Sequence, residues 1–250
     1  MKIIKKVKIN LTTYIFAILF LFSGYKSNLL YLLLVFLIHE VGHVFFCKLF
    51  NVRIQSIEIF PYGGVIKLNH KLNIEIYKEL FISAGGVLFQ VIFEIINMIF
   101  LKNHLLSYFN LSFLKINLIP IIPFDGHKIV WCFLSSCLPF FYARFLSLIL
   151  SILFLISLFF YELIFIKINI AFIIFSFCFT FKEIRVINHV INRFYLERWL
   201  FDFKFSKTKY YNNKNIKCLK RNELCFFLDE IYVHERVILS KKFDNSSYIW

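Results

Sequence analysis

The sequence predicts a polytopic α-helical membrane protein of about six transmembrane helices, with a membrane-associated β-hairpin inserted after the second. Three observations carry that prediction. Of the 250 residues, 60% are hydrophobic and 35 are Phe, with a mean hydropathy of +0.72, which is more apolar surface than one soluble core of this length can hide. The apolar residues fall in runs long enough to cross a bilayer, separated by short polar turns. Lys and Arg gather at the chain ends and in loops beside those runs, so the net charge of +14 reads as positive-inside topology and not as a nucleic-acid surface.

In order, Met1 to Lys8 carries four Lys and precedes the apolar run Leu11 to Tyr25, which places this end in the cytoplasm. No small-residue cleavage site follows, and a second span begins within a few residues, so the run is a span and not a signal peptide. Gly24 to Asn28 forms the external turn, and the second span, Leu29 to Phe50, returns inward. It contains His39-Glu40-Val41-Gly42-His43. Two His four residues apart project from one helix face and can share a metal ion, while Glu40 lies beside that face, where a carboxylate can take a proton from water without becoming a ligand. At 1.5 Å per residue, His39 lies roughly 15 Å below the outer boundary, with His43 one turn deeper towards the cytoplasm. Ionisable groups at that depth cost several kcal/mol unless paired, hydrated or metal-bound, and are functional by default.

Asn51 to Leu68 changes period to alternation around the turn signal Pro61-Tyr62-Gly63-Gly64, predicting a β-hairpin. Such a hairpin is either a plain cytoplasmic loop or an open edge able to pair with an extended peptide. The third span, about Glu79 to Leu101, opens with Ser83-Ala84-Gly85-Gly86, small residues that let helices approach closely. Glu94 lies deep within it and is expected to face other helices or snorkel outward; a ligand or proton-carrier role is the alternative. Lys102 and His104 mark the outer turn.

The segment from about Leu105 to Ile129 is not an ordinary span, because Pro120 and Pro123 break it just before Asp125-Gly126. Broken backbone at membrane depth is tolerated where it lines a protected or watery cavity. Asp125 is the only Asp in the first 201 residues, and a carboxylate there suits the third ligand of an open zinc site. His127, two residues on, is expected at the interface, with replacement of Asp125 as ligand the other possibility. Six of the seven Gly fall in the elements just singled out, while the six Cys form no CxxC pair and imply neither disulfides nor a thiolate site.

His39-Glu40-Val41-Gly42-His43 followed by Asn117-Leu118-Ile119-Pro120-Ile121-Ile122-Pro123-Phe124-Asp125-Gly126 resembles the site-two protease family of intramembrane zinc metalloproteases, most like its bacterial sporulation branch. The resemblance covers about residues 10 to 185. It implies one Zn²⁺ held by His39, His43 and Asp125, with Glu40 as general base and Asn117 and Pro123 bordering the substrate cleft. It further implies a membrane-tethered protein substrate cut near the cytoplasmic face, such as a sporulation pro-sigma factor, with membrane-embedded inhibitor proteins and lipids as partners. The third span departs from the pattern, carrying Ala84-Gly85-Gly86 and Gln90 where the family often has Ala-Gly-Pro and a later Asn.

Phe145 to Tyr161 and Ile168 to Phe181 complete six spans and return the C-terminus to the cytoplasm, where Lys182, Arg185 and Arg193 follow. Residues 1–187 then form the transmembrane domain, and 188–250 a basic cytoplasmic region with a short strand at Ile231 to Val233. Relatives of the sporulation type often carry a regulatory CBS domain at this point; here a reduced domain and a basic, lipid-binding tail are both compatible with the composition. Two other functions fit a membrane chain with buried His and carboxylates. A metal or proton transporter would spread ionisable residues along a path and repeat its spans, and neither pattern is present. A catalytically inactive binding protein would have lost motif residues, and all are present.

Overall fold

The computed structural model describes residues 7–11, 13, 14, 18, 26–60, 63–68, 72–165, 170–201, 203, 205, 207–229 and 231–244. The expected first span, Leu11 to Tyr25, falls largely outside them, as do the turn residues Pro61 and Tyr62 and the start of the expected last span. Among the described residues, three helices are long and apolar enough to cross a membrane: Asn28–Leu49, Ile76–Leu101 and Phe140–Tyr161.

The chain divides into two compact units, Met1–His70 with Leu80–Pro120 and Phe124–Ile129, and Lys71–Glu79 with Ile121–Pro123 and Val130–Trp250. In the first, strand β1 (Val7–Ile9) is followed by helix α1 (Lys26–Leu49), strands β2 (Ile54–Phe60) and β3 (Gly63–Leu68), helix α2 (Ile76–Ile96) and helix α3 (His104–Leu118). Helix α4 (Asp125–Cys137) begins in this unit.

Helix α1 shows how the sequence suits lipid. Its buried stripe is Val35, His39, His43 and Cys47 at i, i+4 spacing, while Leu30, Leu33, Leu37, Val41, Phe45 and Leu49 on the other side are exposed. The pattern is inverted relative to a soluble helix, with imidazoles inside and aliphatic groups outside. Asn51 ends the helix in the left-handed conformation (φ 55°), with Asn51 N–H donating to Lys48 O (3.2 Å) and Val52 N–H to Cys47 O (2.8 Å), the paired bonds of a Schellman motif. Helix α2 repeats the inversion: Ser83, Gly86, Gln90 and Glu94 are buried, and Val91, Ile92, Ile95 and Ile96 exposed. A π-helical turn, Asn97–Leu101, closes it, and Asn103 caps α3 by accepting from Leu106 N–H (3.0 Å).

Helices α1 and α2 cross at glycines. A Cβ at Gly42 would lie within 2.7 Å of the Gly85 carbonyl carbon, and one at Gly85 within 2.7 Å of Gly42 O, so only hydrogen at both positions permits the approach. Strands β2 and β3 pair antiparallel, Ile59 opposite Gly64. The Lys-rich start, expected simply to lead into a span, supplies β1, which pairs in parallel with β2, Val7 opposite Ile57. The sheet order is therefore β1-β2-β3, and the outer edge of β2 is taken.

The second unit holds the rest of α4, helices α5 (Phe140–Phe165) and α6 (Ile170–Leu200), strands β4 (Lys207–Tyr211), β5 (Glu223–Leu228) and β6 (Tyr232–His234), and helix α7 (Glu235–Asp244). Helices α5 and α6 pack together, with Ser147 and Ser151 of α5 and Ser176 and Thr180 of α6 buried. Thr180 Oγ1 donates to Ser176 O (2.8 Å) and Ser147 Oγ to Arg144 O (2.9 Å), which satisfies these two hydroxyls where lipid could not, while Ser176 Oγ has no hydrogen-bond partner among the described residues. Strand β4 runs parallel to β5, and β6 antiparallel to it.

The stretch expected to read as a basic region is organised on one buried cation. The Arg198 side chain is wholly inaccessible, Nε donating to Glu235 Oε1 (2.8 Å), Nη2 to Glu235 Oε2 (2.6 Å) and Glu223 O (2.6 Å), and Nη1 to Lys220 O (3.0 Å). Glu235 Oε2 also accepts from Cys225 N–H (3.0 Å), so one ion pair ties α6, β5 and α7. Burial pushes the Cys225 thiol up to about 11, which keeps it neutral and apolar beside them.

Removing one partner of this pair strands a buried charge, at a cost of about 3–5 kcal/mol. Arg198→Ala is therefore expected to expose 207–244 to limited proteolysis of the full chain in detergent, and Arg198→Met with Glu235→Leu to recover most of the protection. Equal protection of Arg198→Ala and wild type would contradict this account.

Candidate metal centre

His39 and His43 face the same side of α1, and Asp125 opens α4 just after the break, so the three side chains meet although 82 residues separate His43 from Asp125. The ligand atoms form a near-equilateral triangle: His39 Nε2 to His43 Nε2 3.1 Å, His39 Nε2 to Asp125 Oδ2 3.0 Å and His43 Nε2 to Asp125 Oδ2 2.9 Å. All three are buried.

The far side of each ring fixes what the near side offers. His39 Nδ1 meets Gln90 Oε1 (2.9 Å), and His43 Nδ1 meets the carbonyl of Ile82 (2.7 Å). Both partners only accept, so each Nδ1 carries a proton, and in the neutral form that binds a metal each ring turns a bare Nε2 lone pair towards the other and towards Asp125. Asp125 Oδ2 is correspondingly buried without a donor, while Oδ1 accepts from Lys128 Nζ (2.9 Å), one turn along α4. Three converging electron pairs, two neutral and one anionic, fit a divalent cation, and two imidazoles with one carboxylate are a donor set suited to zinc.

The His39 ring is closely packed on two sides. A Cβ at Gly86 would come within 2.6 Å of both His39 nitrogens, and His39 packs edge-on against Phe113 at 5.3 Å. The glycine element of α2 therefore works by making space for a ligand as well as for a helix crossing. At the start of α4, a Cβ at Gly126 would fall within 2.6 Å of Ile119 O and of the Leu118 carbonyl carbon, so the turn that delivers Asp125 requires glycine at the next position.

Glu40 lies next to the triangle and belongs to none of its edges. Its Oε1 accepts from Gly64 N–H of β3 (3.1 Å), and its buried Oε2 has no hydrogen-bond partner among the described residues. A Cβ at Gly64 would lie within 2.7 Å of both carboxylate oxygens. Asn117 is buried in α3, with Nδ2 donating to Phe113 O (3.1 Å), and Pro123 lies in the non-helical stretch two residues before Asp125. His127, expected at the interface, is buried in the first turn of α4 and stands outside the cluster of three. Glu94 faces helix α3, accepting from Asn110 Nδ2 (2.7 Å) and from Ser107 Oγ. Sequence reasoning singled out Gln90 only as a departure from a pattern, noted Gly64 only as part of a turn signal, and passed over Lys128. The i, i+3 spacing of Asp125 and Lys128 on one helix is the signal that could have found the last.

Comparison with known proteins finds relatives among the metalloproteases. Residues 27–105 match the sequence model of Peptidase family M50. The chain is 32% identical over 208 residues to stage IV sporulation protein FB of Bacillus subtilis, covering 79% of this chain and 72% of that protein. It is 26% identical over 148 residues to a zinc metalloprotease of Methanocaldococcus jannaschii, covering 52% of this chain and 43% of that one. The solved structure of a site-2 protease from the same archaeon shares the fold, with a TM-score of 0.56 at 22% identity over 72% of this chain and 90% of that one.

Purified protein is expected to carry one zinc per chain, to lose it in Asp125→Ala, and to keep it in His127→Ala, as read by elemental analysis. Gly86→Ala, which drives a methyl group onto the His39 ring, is expected to weaken zinc binding by an order of magnitude or more. Full zinc in Asp125→Ala with loss in His127→Ala would transfer the third ligand to His127.

Proposed function

This chain belongs to peptidase family M50, the site-2 zinc metalloproteases, and we propose that it hydrolyses a peptide bond of a membrane-tethered protein near the cytoplasmic face of the membrane. The observation that carries the proposal is the triangle of His39, His43 and Asp125 with a separate carboxylate, Glu40, beside it. His39, His43 and Asp125 would hold the zinc, which would supply Lewis-acid polarisation of the scissile carbonyl and a lowered pKa for the attacking water. Glu40 accepts the proton of that water and passes it to the departing amine nitrogen, with Oε1 steadied by Gly64 N–H and Oε2 as the receiving atom. By the motif they belong to, Asn117 and Pro123 border the substrate.

A helical substrate hides its peptide bonds, so a segment must unwind before it is cut. The edge of β3 is suited to receive it. Strand β1 covers the outer edge of β2, no strand pairs with the other side of β3 among the described residues, and β3 carries the Gly64 that touches Glu40. The likeness to stage IV sporulation protein FB supports a sporulation pro-sigma factor as substrate. The proposed topology has six spans and both termini in the cytoplasm, with 188–250 as a cytoplasmic region, and lipids and membrane-embedded inhibitor proteins as partners.

Glu40→Gln keeps the side-chain volume but removes the proton acceptor. Co-expressed with a membrane-tethered pro-protein, it is expected to lose at least about 10²–10⁴-fold in cleavage while zinc content stays at the wild-type level. Cleavage equal to wild type at equal expression would exclude the mechanism. For topology, single cysteines placed near residue 3 and after residue 200 in a cysteine-free background should resist an impermeant thiol reagent applied from outside; external labelling of the C-terminal site would remove a span.

A further inference from the structure

Beyond the ligands lies a chain of buried polar groups that hydrolysis as described does not use. Gln90 and Asn110 are each 0% exposed and Glu94 6%, in a region where an unpaired polar group costs several kcal/mol. We propose that Glu94, Asn110 and Gln90 form an orientation relay that sets the tautomer of His39 and so presents its Nε2 to the metal; this rests on the zinc reading of His39.

The argument is one of polarity. A glutamine beside an imidazole can offer either end of its amide. If Gln90 offered its NH₂ group to Nδ1, the ring proton would move to Nε2 and block the metal position. Gln90 by itself does not decide which end it shows. Its Nε2 donates to Asn110 Oδ1 (3.4 Å), so Oε1 is the end left for His39 Nδ1 (2.9 Å). Asn110 is itself an amide with two ends, and its orientation is fixed because Nδ2 donates to Glu94 Oε2 (2.7 Å) and to the backbone carbonyl of Gln90 (3.1 Å). Glu94 ends the series as an acceptor, taking a second bond from Ser107 Oγ. From Glu94 to His39 every donor therefore points the same way, and reversing any one member reverses the next. The groups sit at i, i+4 on α2 and i, i+3 on α3, facing one another between two helices whose outer faces are apolar.

The test uses the full chain in detergent and reads zinc affinity by competition with a chromophoric chelator, together with the visible d–d spectrum of the cobalt(II)-substituted protein. Gln90→Leu is expected to weaken zinc binding by about 10–100-fold, the usual effect of removing the partner of a ligating His. Glu94→Gln, which leaves the Gln90 carbonyl as the one obligate acceptor holding Asn110, is expected to weaken binding by about tenfold and to alter the cobalt spectrum. Gln90→Glu in the Glu94→Gln background should restore the affinity, because a carboxylate accepts from His39 whichever way Asn110 stands. Rescue of this kind is not expected if Glu94 serves only packing. Asn110→Leu, with and without Gln90→Glu, repeats the logic should Glu94→Gln fail to fold. Affinity within twofold of wild type in both Glu94→Gln and Asn110→Leu, or no rescue by Gln90→Glu in a folded background, overturns the relay. His39→Ala is the separate control: if it binds zinc like wild type, the metal reading of His39 fails, whatever the relay variants do.

Discussion

Two imidazole lone pairs and one carboxylate oxygen held within 3.1 Å of each other inside an apolar chain are a repulsive arrangement until a cation joins them. The structure is built to hold that arrangement in place. Gly42 and Gly85 bring α1 and α2 close enough for Ile82 O and Gln90 to reach the two rings, Gly86 leaves space for His39, and the turn at Gly126 delivers Asp125 from a distant part of the chain. Because each His is pinned through Nδ1, neither can rotate away to relieve the crowding, and the binding free energy of an ion is what makes the convergence favourable.

The membrane-like patterning follows from the same requirement. A soluble enzyme would bury aliphatic groups and expose polar ones; here α1 and α2 bury His39, Glu40, His43, Ser83, Gln90 and Glu94 while Leu37, Val41, Val91 and Ile95 face outward. Polar groups placed inside must then satisfy each other, which is why so many of the buried side-chain hydrogen bonds join amides, carboxylates and imidazoles on different helices. The sheet adds a backbone donor to this interior at Gly64, the only kind of residue that can approach Glu40 so closely.

Much of this was legible in the sequence. His39 and His43 are four residues apart on a helix, and the paired prolines before Asp125 forecast a helix break, because both signals are local and rest on fixed helical geometry. What escaped was non-local. Val7–Ile9 became a strand by pairing with residues 57–59, some fifty positions away, and a three-residue segment among lysines carries no periodicity to announce it. The stretch holding Arg198 read only as basic, because the partners of that side chain, Glu223 and Glu235, lie 25 and 37 residues on. His127 read as interfacial from its place beside a break, whereas the first turn of α4 buries it. Gln90 stood out only as a departure from the family pattern, since nothing near it in sequence shows that it faces His39.

The central claim is that the convergence of His39, His43 and Asp125 is a zinc site. X-ray absorption at the zinc edge of the purified, metal-loaded chain tests it most directly. The account predicts a first shell of nitrogen and oxygen only, with the outer-shell scattering of two imidazoles. A sulfur scatterer, as the neighbouring Cys47 could supply, or the signature of a third imidazole would contradict it.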